Sequence, residues 1–194
     1  MTPTEPRDLT TITAHTRALL LALGVDPTRL QTADTPHRWA RALIELTRGL
    51  TVDPTRHLRV TFPPESDTPG LIAVAGIRFC SLCEHHMLPF AGTATVAYLP
   101  APGAPIVGLS KLARLVGDYA TRPQVQERLG EQIVTAITTR LDTQGAGCLI
   151  RSAHTCMTSR GVHAHDAVMV TSHLTGLLDT DERLRAELWA VHGT

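Results

Sequence analysis

The chain has 194 residues, a formal net charge of zero and a hydrophobic fraction of 43%. A chain of this length and composition suits one globular domain with, at most, a helical appendage. Its balanced charge argues against nucleic acid as a partner, and the longest early apolar run, ALLLALGV, is too short to cross a membrane. Because no signal-peptide pattern precedes that run, we expect a cytoplasmic protein whose clustered cysteines bind metal rather than form disulfides.

Helical periodicity predicts two helices in the first third of the chain. Apolar residues recur at helical spacing over residues 9–23, and the run DTPHRWARALIELTRG combines Asp34 or Thr35 as a candidate cap with Pro36 in the first turn. The loop TFPPESDTPG follows. We therefore divide the chain into a helical extension, residues 1–60, and a second domain, residues 61–194.

The second domain alternates extended and helical patterns. LIAVAGIRF and TATVAYLP read as strands, one helix begins at Ser110, and another runs from Pro123 to about Leu141. GCLIRSAHTCM and DAVMVTSHLTGLL read as further strands, and DERLRAELWAV as a short final helix. This order predicts an α+β fold with an antiparallel sheet and two helices on one face.

The run CSLCEHHMLPF, residues 80–90, concentrates metal-ligating side chains. Ser81 and Glu84 fit the capping-box pattern, which predicts that the preceding strand passes into a helical turn. Within that turn Cys83 and His86 are three residues apart and share a face, a workable spacing for two ligands of one zinc ion.

A second ligand run, AHTCM, lies 70 residues further on. Side chains alternate along a strand, so His154 and Cys156 are expected on one face. Cys83, His86 and Cys156 then offer three ligands, and three protein ligands with one open position are typical of catalytic zinc. Cys80 is a candidate fourth ligand that would close a purely structural site, so both readings remain open at this point.

Four separated runs, SLCEHHMLPFAG, GLSKLARLV, RPQVQERL and HTCMTSRGV, resemble the signature segments of the GTP cyclohydrolase I family, and DTPHRWARAL resembles its upstream helix. The resemblance implies the tunnelling (T-) fold, with residues 61–194 as the catalytic domain. It also implies an oligomeric β-barrel ring, generally a decamer, with active sites between subunits. The implied reaction is zinc-dependent hydrolysis of GTP at guanine C8, release of formate and rearrangement to 7,8-dihydroneopterin triphosphate, the first step of folate, pterin or deazapurine biosynthesis.

The resemblance also gives a role to each matching side chain. A carboxylate at Glu127 suits the paired N–H donors of guanine, which adenine lacks, and Ser110 begins a helix whose free N–H groups attract an anion. The implied metal ligands are Cys83, His86 and Cys156, to the exclusion of Cys80. The implied catalytic residues are His85, His154 and Ser110. The implied substrate-binding residues are Gln126 and Glu127 for guanine, and Lys111, Arg114, Arg160, with Ser110 and a neighbouring subunit's Arg38, for the triphosphate.

The sequence also departs from the family pattern. Thr93 stands where lysine is common, and Ala167 and Met169 stand where hydroxyl residues are usual. These departures are compatible with a paralogue that acts on another purine nucleotide or stops at a ring-opened intermediate. A non-catalytic, zinc-stabilised assembly module is the alternative from another class of protein.

Overall fold

A computed structural model describes residues 7–68 and 70–192 of the chain. Its helices are α1 Leu9–Ala22, α2 Thr35–Leu46, α3 Leu109–Ala120, α4 Gln126–Arg140, α5 Thr155–Thr158, α6 Leu177–Thr180 and α7 Glu182–His192, with 3-10 helices at Arg48–Thr51 and Pro54–Arg59. Its strands are β1 Thr61–Phe62, β2 Ile72–Cys83, β3 Pro89–Pro100, β4 Ile106–Val107, β5 Pro123–Gln124, β6 Thr143–His154 and β7 Met169–Gly176. Among the described residues, no helix is both long enough and apolar enough to cross a membrane.

The main sheet has the strand order β5-β2-β3-β6-β7. Every neighbouring pair is antiparallel except the short β5, which pairs in parallel with the end of β2. The longest pairing joins β3 and β6, from Phe90 opposite His154 to Pro100 opposite Thr143. Strand alternation along this ladder sends one set of side chains toward α3 and α4, and the other set to the opposite face.

The core lies between the sheet and helices α3 and α4. The predicted apolar stripe of α3 is buried as expected, with Leu112, Leu115 and Val116 fully covered and packed in the same cluster as Phe79 and Phe90. A smaller cluster on the opposite face of the sheet includes α6 and α7 and contains Ala97, Leu99, Leu149, Leu178 and Leu188. The prediction of two helices on one face is therefore right for α3 and α4, and the structure adds a second helical layer at one end of the other face.

The helical extension is attached to this core. The α1 hydroxyl of Thr16 is buried and donates to the carbonyl oxygen of Pro36 at 2.9 Å, which ties α1 to α2. Leu58, just before the predicted boundary, is 2% exposed and belongs to the main core. The division of the chain at residue 60 remains a prediction. The start of the first predicted unit, residues 1–6, and the end of the second, residues 193–194, lie outside the described residues.

Three local predictions are wrong. The strand before the CEHH run does not turn into a helix near Cys80, because β2 continues to Cys83. Ser81 is buried and donates to the carbonyl oxygen of Arg122 at 3.1 Å, so its hydroxyl is not a helix cap. The helix predicted to start at Pro123 begins only at Gln126, because Pro123 belongs to β5. The strand predicted to include Cys156 ends at His154, so Cys156 lies in a helical turn.

Gly92 allows the central strands to approach. It pairs with Ser152, and a Cβ atom at this position would lie 2.0 Å from the carbonyl oxygen of Arg151. We expect Gly92→Ala to lower the free energy of unfolding by about 3 kcal/mol, because backbone atoms must move apart to admit a methyl group. Chemical denaturation measures this effect. Gly70→Ala is the control, since a Cβ there meets no atom within 4 Å; equal stability of the two variants would contradict the prediction.

Candidate metal centre and active site

A tight turn at the end of β2 brings Cys83 and His86 together. The backbone N–H of Cys83 donates to the carbonyl oxygen of Leu88 at 2.8 Å, and the N–H of Met87 donates back to Cys83 at 2.7 Å. Met87 takes a positive φ of 54°, which closes the turn. As a result, the Sγ atom of Cys83 lies 3.9 Å from Nδ1 of His86.

The end of β6 brings the third sulfur to the same place. His154, the last residue of β6, lies opposite Phe90 in the β3 ladder. The hydroxyl of Thr155 donates to the carbonyl oxygen of Pro89 at 2.6 Å, which holds the helical turn α5 over the start of β3. Cys156 lies in this turn rather than on a strand face shared with His154, so the predicted local geometry is wrong although the two residues remain neighbours.

The side chains of Cys83, His86 and Cys156 fit a zinc ion. Their ligand atoms all lie within 4.8 Å of one another, and the described residues contain no other group of this kind. A tetrahedral zinc ion with bonds of about 2.0–2.3 Å holds its ligand atoms about 3.6–3.8 Å apart, close to the measured Cys83–His86 distance. Burial, and secondly the nearby Cys83 sulfur, raise the pKa of Cys156. A bound cation offsets both effects, because it favours the thiolate form.

The two remaining cysteines do not join this group. Cys80 is exposed and lies on the other face of β2 from Cys83, opposite Ala91 of β3. Cys148 is fully buried in the core, where burial raises the pKa of its thiol to about 12. The group that could hold a metal ion therefore consists of three side chains among the described residues, and Cys80 is not one of them.

A cavity of about 160 Å³ adjoins the metal group. Glu127 is one of its lining residues, and this exposed side chain makes no hydrogen bond or ion pair within the described ranges. Burial lowers the pKa of His154, and the Glu127 carboxylate partly offsets this effect. The cavity lining consists of Cys83, His85, His86, Gln124, Val125, Gln126, Glu127, His154, Cys156 and Met169.

Gln126 is 1% exposed, and its side chain contacts the imidazole of His154. Its amide nitrogen donates to the carbonyl oxygens of Ile150 and Met169, both at 3.2 Å. Carbonyl oxygens only accept, so the amide oxygen must face the other way, where it lies 2.5 Å from the Ser152 hydroxyl and 3.0 Å from Nε2 of His154. That oxygen can only accept, so Nε2 of His154 carries the hydrogen, and Nδ1 is the nitrogen able to take up a proton.

The family resemblance implies that Gln126 binds the guanine edge, and in the structure the hydrogen-bonding groups of its side chain are engaged by protein partners. Two further residues near His154, Phe90 and Ser152, were not identified from the sequence, and they complete its surroundings. The Phe90 ring stacks on the imidazole, with ring centroids 4.4 Å apart and planes 5° from parallel. Ser152 lies two residues before His154 on the same strand face, so strand alternation was a usable signal for it.

An ion pair fixes the metal-binding turn to α4. Arg128 binds the carboxylate of Glu84, and this contact is the largest cause of the lowered pKa of Glu84. The same guanidinium donates to the side-chain oxygen of Gln124 at 3.1 Å, while the backbone carbonyl of Gln124 accepts from the N–H of Glu84 at 3.0 Å. Glu84, which lies between Cys83 and His85, is therefore held by both side-chain and backbone contacts.

The residues predicted to bind phosphates do not line this cavity. Arg114 lines a separate cavity, and Arg38 is an exposed α2 residue paired with Asp34 at 3.3 Å. Arg160 lies close enough to the metal group to lower the pKa of Cys156 slightly. The predicted residues outside the lining are Ser110, Lys111, Arg114, Arg160 and Arg38.

The structure is an α+β fold with a Cys-His-Cys group whose spacing is compatible with a zinc ion. Residues 12–193 match the sequence model of the family described as GTP cyclohydrolase I. The GTP cyclohydrolase 1 of Rhodopirellula baltica is 43% identical over 96% of this chain and 80% of its own. The GTP cyclohydrolase 1 of Desulforamulus reducens is 44% identical over 93% of this chain and 95% of its own. The GTP cyclohydrolase 1 of Mycobacterium leprae is 45% identical over 90% of this chain and 84% of its own. The chain belongs to the GTP cyclohydrolase I family, which confirms the predicted family, T-fold class and enzyme class.

Proposed function

We propose that this protein hydrolyses GTP at C8 of guanine, releases formate and completes the rearrangement to 7,8-dihydroneopterin triphosphate, with Zn²⁺ as its cofactor. Family membership supports the reaction. The observation that carries the proposal is the three-ligand group of Cys83, His86 and Cys156 at the edge of a cavity. A zinc ion bound there supplies a Lewis acid that makes water nucleophilic near neutral pH. The four free cysteines among the described residues support a reducing, cytoplasmic setting.

Glu127 gives the cavity its purine selectivity in this proposal. Its carboxylate makes no hydrogen bond or ion pair among the described residues, so it can accept from the N1 and N2 donors of guanine. Adenine offers no such pair, and a carboxylate left without donors disfavours its binding. Gln126 contributes through His154 rather than through a side-chain contact to the purine, because its amide is already hydrogen-bonded.

His154 moves protons in this proposal. Burial favours its neutral form, and the Gln126 contact places the hydrogen on Nε2. Nδ1 can therefore accept the proton that the attacking water loses and then give it to N7 of the opening guanine ring. His85 lines the same cavity and is the second proton-transfer group, with the Ser110 hydroxyl assisting the later rearrangement. Neither residue is a member of the three-ligand metal group.

The triphosphate site requires more than one chain in this proposal. Ser110, Lys111 and Arg114 lie at the start of α3, outside the metal cavity of their own chain. A neighbouring copy therefore contributes phosphate-binding groups such as these or Arg38 to each active site, while Arg160 is near enough to act within its own chain. An oligomeric ring, a decamer in the form that the family resemblance implies, provides this arrangement.

Incubation of the zinc-loaded protein with GTP tests the proposal. We expect stoichiometric formate together with a pterin that fluoresces after oxidation. Formate without a pterin would indicate a reaction that stops at a ring-opened intermediate, and turnover of another purine nucleotide but not GTP would indicate a paralogue. If no purine nucleotide yields formate at any zinc loading, the proposal fails in favour of the non-catalytic module.

A further inference from the structure

A second cavity, of about 470 Å³, lies between α3 and the two 3-10 helices. It shares no lining residue with the cavity at the metal group. Its volume is in the range of small-molecule sites. Its lining consists of Arg48, Arg56, His57, Ala113, Arg114, Gly117 and Asp118.

One buried carboxylate organises this second cavity. Asp118 is 7% exposed, and its Oδ2 atom forms an ion pair with Nη2 of Arg56 at 2.8 Å and lies within hydrogen-bond distance of Nε2 of His57, also at 2.8 Å. The ion pair with Asp118 holds the guanidinium of Arg56 at the cavity wall. Because this guanidinium and an imidazole already share Asp118, the carboxylate does not compensate the other two arginines.

Arg48 and Arg114 have no compensating partner in the part of the chain that the structure describes. Neither side chain makes a hydrogen bond or an ion pair there, and both residues are exposed. Three guanidinium groups thus line one cavity with a single carboxylate. Such an excess of positive charge favours an anion, and planar guanidinium groups suit the oxygen atoms of phosphate.

Gly117 keeps the same cavity open. It lies in the interior of α3, where glycine is among the least favourable residues. A Cβ atom at this position would meet no heavy atom within 4 Å, so packing against the protein does not require glycine. The absence of a side chain at Gly117 therefore leaves open space beside a cavity with excess positive charge.

We propose that this cavity binds a phosphate group, with Arg48, Arg56 and Arg114 as its ligands. The phosphate has two possible sources of the same chemistry. One is the triphosphate of GTP from an active site of the assembly, an assignment that rests on the proposed function, in which Arg114 binds phosphate. The other is a separate phosphorylated small molecule. Arg48 and Arg56 are new phosphate-binding residues in either case.

Titration calorimetry of the zinc-loaded protein with inorganic phosphate at low ionic strength tests the site. We expect Arg48→Gln and Arg56→Gln each to weaken phosphate binding about tenfold or more, because each removes a charged donor. Gly117→Glu should abolish binding, since it places a carboxylate in the open space. Arg59→Gln is the matched control: Arg59 is on the same 3-10 helix as Arg56 but pairs with Asp53, at 3.7 Å, and does not line the cavity.

Equal phosphate affinity in wild type, Arg48→Gln and Gly117→Glu would overturn the proposal. These two variants keep the test valid even if Arg56→Gln disturbs the fold, because neither replaces a residue that pairs with Asp118. Inhibition of GTP turnover by phosphate then identifies the source. Competitive inhibition with a raised KM in Arg48→Gln assigns the site to the substrate tail, and non-competitive inhibition assigns it to a separate ligand. The phosphate titration needs no turnover, so it decides the cavity even if the proposed reaction fails.

Discussion

Cys156→Ala is expected to remove zinc from the protein and to reduce GTP turnover to background. The substitution leaves only Cys83 and His86, two side chains from one turn, of the three proposed zinc ligands. Replacement of a residue that only hydrogen-bonds to a metal ligand lowers metal affinity about 10–100-fold. Replacement of a ligand itself should therefore lower zinc affinity by more than about 100-fold. Zinc affinity is measured by competition with a chromophoric chelator, and turnover by formate release.

Cys80→Ala is the matched control for this experiment. Cys80 is also a free cysteine near the metal-binding turn, but it is exposed on the other face of β2. Its replacement should leave zinc content, zinc affinity and turnover unchanged. Loss of zinc in Cys80→Ala, or full retention of zinc in Cys156→Ala, would contradict the three-ligand centre and restore the closed structural site as an explanation.

The α3 helix shows which features the sequence could predict. Leu112, Leu115, Val116 and Tyr119 recur at helical spacing, and all four are buried. A helix buries its apolar stripe against whichever element it meets, so the prediction needed no knowledge of the partner. The same argument holds for the alternating strands of the sheet. Features that depend on local periodicity were therefore predictable.

The metal group was predicted as a set although its local geometry was wrong. Cys83 and His86 were placed on a helical turn, and the structure places them on a strand end followed by a tight turn. Two residues three positions apart come close in either conformation. The prediction that Cys83 and His86 share one metal group therefore did not depend on the wrong helical turn. Cys156 was expected on a strand but lies in α5, and the register of β6 against β3 brings it to the same place.

The role of Gln126 could not be predicted from local sequence. Its partners His154 and Met169 lie 28 and 43 residues away, and they meet only when α4 packs on β6 and β7 in one register. The convergence of Arg48 and Arg56 on Arg114 likewise depends on how two 3-10 helices pack against α3. Long-range packing of this kind leaves no periodic signal in a single sequence.

His154→Ala should lower kcat by about 10²–10⁴ while zinc remains bound, because the variant loses a proton-transfer group and no metal ligand. Formate release measures kcat, and metal analysis measures zinc content. His165→Ala is the control, since His165 is an exposed histidine of the loop between α5 and β7 that does not line the metal cavity. Full activity in His154→Ala, or zinc loss that parallels the activity loss, would contradict the assigned role.

Imidazole added to His154→Ala separates proton transfer from a structural role. Removal of the ring leaves space against Phe90 and leaves the amide oxygen of Gln126 without one of its two donors. Free imidazole can stack on Phe90 and donate to that oxygen, which presents its second nitrogen as the base. We therefore expect imidazole to restore part of kcat in His154→Ala and to leave the His165→Ala control unaffected. A variant that stays inactive at every imidazole concentration, while folded and zinc-loaded, would show that His154 acts only through its packing.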